Sequence, residues 1–242
     1  MIRVLIPAYN EAESLDDVLP RIPDSVAGHA IRTLVVSDGS TDDTVAVARR
    51  HLCDVVEVPS NRGKGAALRR GFAEVRGESH AALVLMDADG QHDPARIADL
   101  SVPVLEGSAD MVVGSRYLGA AGRGCSPWNR YAVRCLTCVV LRRALGITVT
   151  DPFSGYRVLG PSAEAVAVFE GDRYESELEL LFAATTARLG VVEAPIKRIY
   201  TGATSKMGVH HGRLGGRIQV VSGYARTIIH HASRSRVDGV AP

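Results

Sequence analysis

The 242-residue chain carries 28 Lys and Arg against 27 Asp and Glu, a formal net charge of +1, so no global basic field points to nucleic acid and any anionic ligand must be held locally. Hydrophobic residues make up 46%, ample for a core buried on both faces of a sheet. Four cysteines (Cys53, Cys125, Cys135 and Cys138) are too few and too scattered for a disulfide framework.

The chain starts at once with Ile2–Ile6, without the basic region, apolar run and cleavage site of a secretory leader. A cytoplasmic protein is expected, with peripheral contact at the inner face of a membrane left open. Short β-branched runs then alternate with amphipathic segments: Arg3–Ile6, Ala12–Ile22, Arg32–Ser37, Thr44–His51, Val55–Val58, Gly65–Val75 and Ala81–Met86. This βαβα rhythm predicts an α/β fold. Unalternated runs such as Thr33–Val36 and Ala82–Met86 predict mainly parallel strands covered by helices on both faces. Ligands are then expected at the carboxyl ends of the strands. Asn10 or Ser14 is the expected cap of the first helix, and Ser40 or Thr41 precedes the acidic start of the second.

After a further strand at Asp110–Gly114 come a Gly-rich loop (Gly119–Gly124), an apolar helix near Tyr131–Leu145 and the turn-like Asp151–Gly155. Cys135 and Cys138 read as core residues of that helix, since no second pair completes a zinc site. Its apolar stretch Ala132–Val149 is broken by Arg134, Arg142 and Arg143, so nothing reaches the ~18 uncharged residues of a membrane span. A helix is predicted from about Glu175 to Leu189 with Gly190 as C-cap, then a strand over Val191–Tyr200. The basic tail includes an amphipathic candidate, Arg213–Ala232, which would dock on the protein or lie at a membrane interface. The pairs His210-His211 and His230-His231 read as solvated.

The chemistry concentrates in Asp87-Ala88-Asp89-Gly90-Gln91. Residues two apart in an extended chain face one way, so Asp87 and Asp89 can present two carboxylates to one cation. Two hard oxygens suit Mg²⁺ or Mn²⁺, which take few carboxylates and complete their shell with phosphate oxygens; Gln91 offers a third oxygen. Two aspartates before a helix opened by Asp93-Pro94 are also what a plain turn looks like. Asp38 ends a predicted strand before a Gly turn, where a carboxylate can reach a ligand. Gly63-Lys64-Gly65 lacks the spacing of a P-loop, and no dinucleotide fingerprint follows the first strand. Lys64 is read as meeting either phosphate or solvent.

The motifs Ile6–Glu11, Val35–Asp42, Asn61–Ala67 and Asp87–Pro94, in that order, resemble family 2 glycosyltransferases. Gly114–Tyr117, Asp151–Arg157 and Ile199–Met207 are most similar to the dolichyl- or polyprenyl-phosphate mannose synthase branch. The resemblance spans roughly residues 2–207 and implies a single GT-A domain. Within it, 1–115 would be the nucleotide-sugar half and 116–207 the acceptor half, with 208–242 a tail. It implies that Pro7, Tyr9, Glu11, Val36 and Asp38 border the nucleoside, and that Asp87, Asp89 and Gln91 hold Mg²⁺ or Mn²⁺. Ala88 would adjoin the donor and Arg116 would meet diphosphate or acceptor phosphate. Arg130, Arg198, Ser205 and Lys206 are further anion contacts on the same grounds. Two departures stand out: Thr201–Lys206 differs from the branch's usual Gly-Glu-Ser-Lys, and Glu175 stands where some synthases carry a cation. Glu175 would bind a sugar hydroxyl, neutralise an arginine, mark a different acceptor or simply charge a helix start.

The implied reaction is inverting transfer of a hexose from a GDP-mannose or UDP-glucose type donor to a polyprenyl phosphate. Asp89 and Arg116 would be catalytic. A phosphate acceptor is largely ionised near neutral pH and needs no base. A soluble hydroxyl acceptor, the alternative, needs one: Asp151 first, then Glu175 and Glu177.

Overall fold

In the computed structural model of the chain, residues 1–118, 128–172, 175–197 and 199 are described. Their eight strands form one mixed sheet: β1 (Ile2–Ala8), β2 (Ser25–Val26), β3 (His29–Asp38), β4 (Asp54–Val58), β5 (Ala82–Leu85), β6 (Met111–Ser115), β7 (Arg157–Leu159) and β8 (Val191–Pro195). The central order is β3-β1-β5-β7-β6-β8, and β2 and β4 share the outer edge of β3. β1 pairs in parallel with β3 and β5, as β6 does with β8. β7 runs antiparallel to both its neighbours, Arg157 lying opposite Leu85 on one side and Val113 on the other.

That reversal positions the site. Because β7 runs backwards, its N-terminal end and the Asp151–Tyr156 turn before it arrive at the edge where β1, β3, β5 and β6 end. A fully parallel sheet would have carried this turn to the opposite edge.

Strand alternation divides the apolar residues between two cores. Val4, Ile6, Val35, Val84 and Val112 pack with α1 (Ala12–Val18), α2 (Thr44–Arg50) and α4 (Ile97–Leu105). Leu5, Leu34, Leu85 and Val113 face the other way, onto α3 (Lys64–Val75), α5 (Trp128–Leu145), α6 (Pro161–Val166) and α7 (Ser176–Thr186). Helices on both faces are what the unalternated runs predicted.

Three local expectations are corrected. Neither Asn10 nor Ser14 caps α1: Glu11 holds that position, while Asn10 takes a left-handed φ of 52° and its Oδ1 accepts from Thr41 N at 2.7 Å. Asn10 thus joins two loops, and Asp42, which accepts from Thr44 N at 3.0 Å, serves the start of α2. Gly190 is not a C-cap, for α7 ends at Thr186 and Arg188 adopts the left-handed turn at φ 55°. Gly190 starts the next pairing, its N–H donating to Asp110 Oδ2 at 2.8 Å. Finally, β8 stops at Pro195, well short of Tyr200.

Candidate active site

The loop after β5 is the centre of the site. His92 accepts the backbone N–H of Asp87 on Nδ1 at 3.1 Å, which requires an unprotonated Nδ1. Burial pushes the His92 pKa down to about 4 against the pull of Asp87, so the ring stays neutral and suited to this bond. The imidazole stacks on Tyr156, centroids 4.9 Å apart, and the Tyr156 hydroxyl donates to Asp93 O at 3.0 Å. The two rings clamp both ends of the Asp87–Asp93 turn. Asp93 caps the following 3₁₀ turn by accepting from Ala95 N, so the expected helix start at Asp93-Pro94 is present.

The two acidic residues have opposite surroundings. Burial would raise Asp87, but the Lys64 charge, helped by Arg116, outweighs it and holds the carboxyl at about 2. Asp89 is pushed up to about 6, by burial first and then by the Asp87 charge. Its partners are neutral donors from Gln91, the backbone N at 3.1 Å and Nε2 at 2.8 Å. An anion left without a cation beside one already paired has the electrostatics of a site that gains by taking up a cation.

Lys64 is drawn in between two carboxylates and is largely shielded from solvent. Its Nζ lies 2.5 Å from Asp87 Oδ1 and 2.7 Å from Glu177 Oε1, with 16% of the side chain exposed. Burial opposes its charge, yet the two carboxylates hold it above the usual ammonium range. The pair sits against Gly155, where a β-carbon would fall 2.6 Å from both Asp87 Oδ2 and Lys64 Nζ. Only glycine fits there without displacing the pair. Pro7, Lys64, Asp87, Gly155, Arg157 and Glu177 line one small cavity. Arg157 is buried at its base, donating Nε to Ser154 O at 2.9 Å and Nη2 to Pro152 O at 3.0 Å, which fixes the Asp151–Gly155 turn.

Arg116, just after β6, makes a bidentate pair with Asp151: Nε to Oδ2 at 2.7 Å and Nη2 to Oδ1 at 3.0 Å, with the Arg116 backbone N also on Oδ2. Asp151, the first candidate base for a hydroxyl acceptor, is thus engaged by a cation. The carboxylate is fully buried and accepts three bonds from one residue, so it orients Arg116. Glu193 fixes Asp151 in turn, accepting from the N–H groups of Thr150 at 2.8 Å and Asp151 at 3.0 Å. Glu177 is likewise tied to Lys64. Cys135 and Cys138 are only half-buried, and Cys138 Sγ lies 3.8 Å from Thr150 O.

The expected nucleoside residues gather at the ends of β1 and β3, where Pro7 pairs with Val36. The Val36 side chain is wholly inside the core, which leaves its backbone as the group at the strand end. Asp38 is buried too, and its carboxylate accepts the N–H groups of Arg62 at 3.0 Å and Gly63 at 2.7 Å. It shapes the loop that delivers Lys64. Gly39 permits this approach, turning at φ 70° with the Ser60–Asn61 backbone where a β-carbon would lie. Tyr9 is half-buried; the Glu11 N–H donates to Thr44 Oγ1 at 2.9 Å, and the Ala88 side chain is buried. Glu175 occupies the N-cap position of α7. Arg198, Ser205 and Lys206, the Arg130 side chain, the tail helix and the histidine pairs lie outside what is described. His92, Arg157 and Glu193 were not singled out by the sequence; His92 and Arg157 stand within the acidic and turn motifs, whereas Glu193, in β8, carried no cue.

Residues 3–158 match the family described as glycosyl transferase family 2, well over half of the chain. The chain belongs to that family. It is 30% identical over 202 residues, 80% of its length and 75% of the other's, to a polyprenol monophosphomannose synthase of Mycolicibacterium smegmatis. It is 32% identical to an undecaprenyl-phosphate mannosyltransferase of Micrococcus luteus, covering 81% and 82% of the two chains. Among solved structures it is similar to glucosyl-3-phosphoglycerate synthase of Mycobacterium tuberculosis, seen with Mn²⁺, UDP-glucose and phosphoglyceric acid. The TM-score is 0.72 at 25% identity, over 96% of this chain and 80% of that one. The fold is therefore GT-A, and the protein is a nucleotide-sugar-dependent glycosyltransferase of the polyprenyl-phosphate mannose synthase-like branch.

Proposed function

We propose that this glycosyltransferase moves a hexose from a nucleoside diphosphate sugar to a polyprenyl phosphate with inversion, using Mg²⁺ or Mn²⁺. The observation that carries the choice of acceptor is the commitment of Asp151 and Glu177 to cations. An acceptor hydroxyl needs a base to take its proton, and these two of the three candidate carboxylates, paired with Arg116 and Lys64, are poorly disposed to act as one, which leaves Glu175 at the start of α7. A phosphate acceptor, with a second pKa of about 6, reaches the site already ionised. The names of both mannosyltransferase relatives support the same acceptor class.

Asp87 and Asp89 would hold the divalent ion with help from Gln91. Lys64 already occupies the cation position on Asp87, and Asp89 carries the charge that a bound metal would neutralise. When bound, the ion supplies charge stabilisation for a departing diphosphate. Arg116, held rigid by Asp151, offers its remaining N–H groups to phosphate oxygens of donor or acceptor. Pro7, Tyr9, Glu11, Asp38 and Ala88 would surround the nucleoside, Asp38 acting through the loop it shapes. The acceptor oxygen attacks the anomeric carbon, the bond to the leaving diphosphate breaks, and its electron pair departs with the nucleoside diphosphate. Residues 1–207 would form the catalytic domain, with 1–115 serving the donor and 116–207 the acceptor. Arg198 and Ser205 would add anion contacts, and the protein would work peripherally at the cytoplasmic face of a membrane.

A soluble acceptor is the second reading, favoured by the phosphoglyceric acid in the structurally similar enzyme. The two separate by nucleoside diphosphate release from GDP- and UDP-sugars with Mn²⁺, with and without a short polyprenyl phosphate. Stimulation by the lipid phosphate, lost in Asp89→Ala, is expected. Stimulation only by 3-phosphoglycerate would overturn the proposal.

A further inference from the structure

The backbone on either side of Lys64 is anchored to a distant part of the chain. The Gly63 N–H before it donates to Asp38 Oδ2 at 2.7 Å, and the Gly65 N–H after it donates to Asp172 O at 2.9 Å. Ala66 N donates to the same carbonyl at 3.3 Å. Gly63 gives α3 no side-chain cap, so a main-chain carbonyl from far along the chain takes up two of the N–H groups that a helix start leaves unpaired.

The segment that supplies this carbonyl, residues 169–172, is tied to both α3 and α7. From α3, Arg69 Nη1 donates to Phe169 O at 3.2 Å and to Gly171 O at 2.8 Å, its Nη2 pairs with Asp172, and the Phe72 ring meets the Phe169 ring edge-on with centroids 4.8 Å apart. From α7, the buried Glu179 carboxylate accepts the N–H groups of Glu170 at 3.2 Å and Gly171 at 2.9 Å. One residue, Gly171, is thus held by α3 through its oxygen and by α7 through its nitrogen. The contact leaves no room for side chains: a β-carbon on Gly65 would fall 2.2 Å from Gly171 O, and one on Gly171 would fall 2.8 Å from Glu175 Cβ.

We infer that Arg69 and Glu179 are positioning residues for the candidate site: by clamping residues 169–172 from opposite sides they set the spacing of the starts of α3 and α7, and so hold the Lys64 ammonium on Asp87 and Glu177 together. Those carboxylates stand on different elements, Asp87 after β5 at 2.5 Å and Glu177 on α7 at 2.7 Å. A lysine stem is flexible and could follow either partner alone; it meets both only while the two helix starts keep their distance. All described polar partners of Arg69 and Glu179 lie in residues 169–172, so what these side chains do at the centre they do through Lys64. The kinetic consequence rests on the reading of Asp87 and Asp89 as the metal centre.

Lys64, Lys197 and Lys206 are the only lysines of the chain, so selective nitrogen labelling of lysine isolates the Lys64 ammonium in an NMR spectrum, assigned by its disappearance in Lys64→Met. Arg69→Met and Glu179→Gln, with folding verified by thermal melts, are each expected to weaken or abolish that signal, whereas Arg70→Met, next on α3 and paired with Glu74, leaves it unchanged. In transfer to water-soluble citronellyl phosphate or to 3-phosphoglycerate, whichever the wild type uses, each of the first two lowers kcat about tenfold with the donor KM unchanged. Added to Lys64→Met, Arg69→Met costs nothing further. An intact signal or an unchanged kcat in both folded variants overturns the inference, as does an equal loss from Arg69→Met with and without Lys64. Should Arg69→Met fail to fold, Glu179→Gln carries the test, since it keeps the shape of the side chain and one accepting oxygen. If Asp89→Ala retains full activity, the metal-centre reading fails, while the ammonium signal still decides whether the clamp holds Lys64.

Discussion

The loops at the ends of β1 and β3 and the charged centre of the candidate site are held by different forces. In the loops, carboxylate and amide oxygens accept backbone N–H groups: Asp38 holds Arg62 and Gly63, Asn10 holds Thr41, and Asp42 holds Thr44. Such bonds fix loop shape. At the centre, charge is held by charge, Lys64 between Asp87 and Glu177 and Arg116 against Asp151. Buried pairs of that kind hold the side chains they join, and removing one partner leaves an uncompensated charge.

This contrast is broken most severely at the carboxylates. Asp89→Ala should lower kcat/KM by about a thousandfold, comparable to removing a principal electrostatic stabiliser, with the fold intact by circular dichroism. A tenfold loss or less would mean that the metal is held elsewhere. Asp151→Ala leaves the Arg116 guanidinium partly buried without its partner, and urea unfolding should show a loss of about 3–5 kcal/mol. In the loops the cost is smaller: Asp38→Ala should lose about 2 kcal/mol through two unpaired loop amides, weakening donor binding more than turnover at saturation.

The smallest effect is a pH dependence. Asp89 has an ordinary value of 3.8 and is raised to about 6 in the folded protein. Below the lower value it is protonated whether folded or not and costs nothing. As pH rises toward 6 the folded state binds more protons than the unfolded one, so stability falls, and the full penalty stands above 6. A divalent ion removes that penalty. Mn²⁺ should therefore raise the melting temperature more at about pH 8 than at about pH 5, a difference on the order of 1 kcal/mol. Equal shifts at both pH values would place Asp89 outside the metal site.

The first half of the chain was readable because its strands and helices repeat at regular spacing, and because Asp87 and Asp89 follow a buried strand directly. The second half was not. β7 is three residues long, too short to show any period, yet its reversal is what delivers Asp151 to Arg116. Lys64 and Glu177 lie 113 positions apart, and no local pattern announces their pairing. The partner of Asp151 was hidden for the same reason: its position before a turn was visible, but its burial against Arg116 depends on chain reversal and on Glu193. His92 stood inside the best motif, and only the stacking on Tyr156 shows why it is there.

The most direct test is the stereochemistry of the product formed from a nucleotide sugar and citronellyl phosphate in the presence of Mn²⁺, read by proton and phosphorus NMR. A glycosyl phosphate of inverted anomeric configuration is the predicted result. A product of retained configuration, or no glycosyl phosphate while a soluble hydroxyl acceptor is glycosylated, would contradict the account.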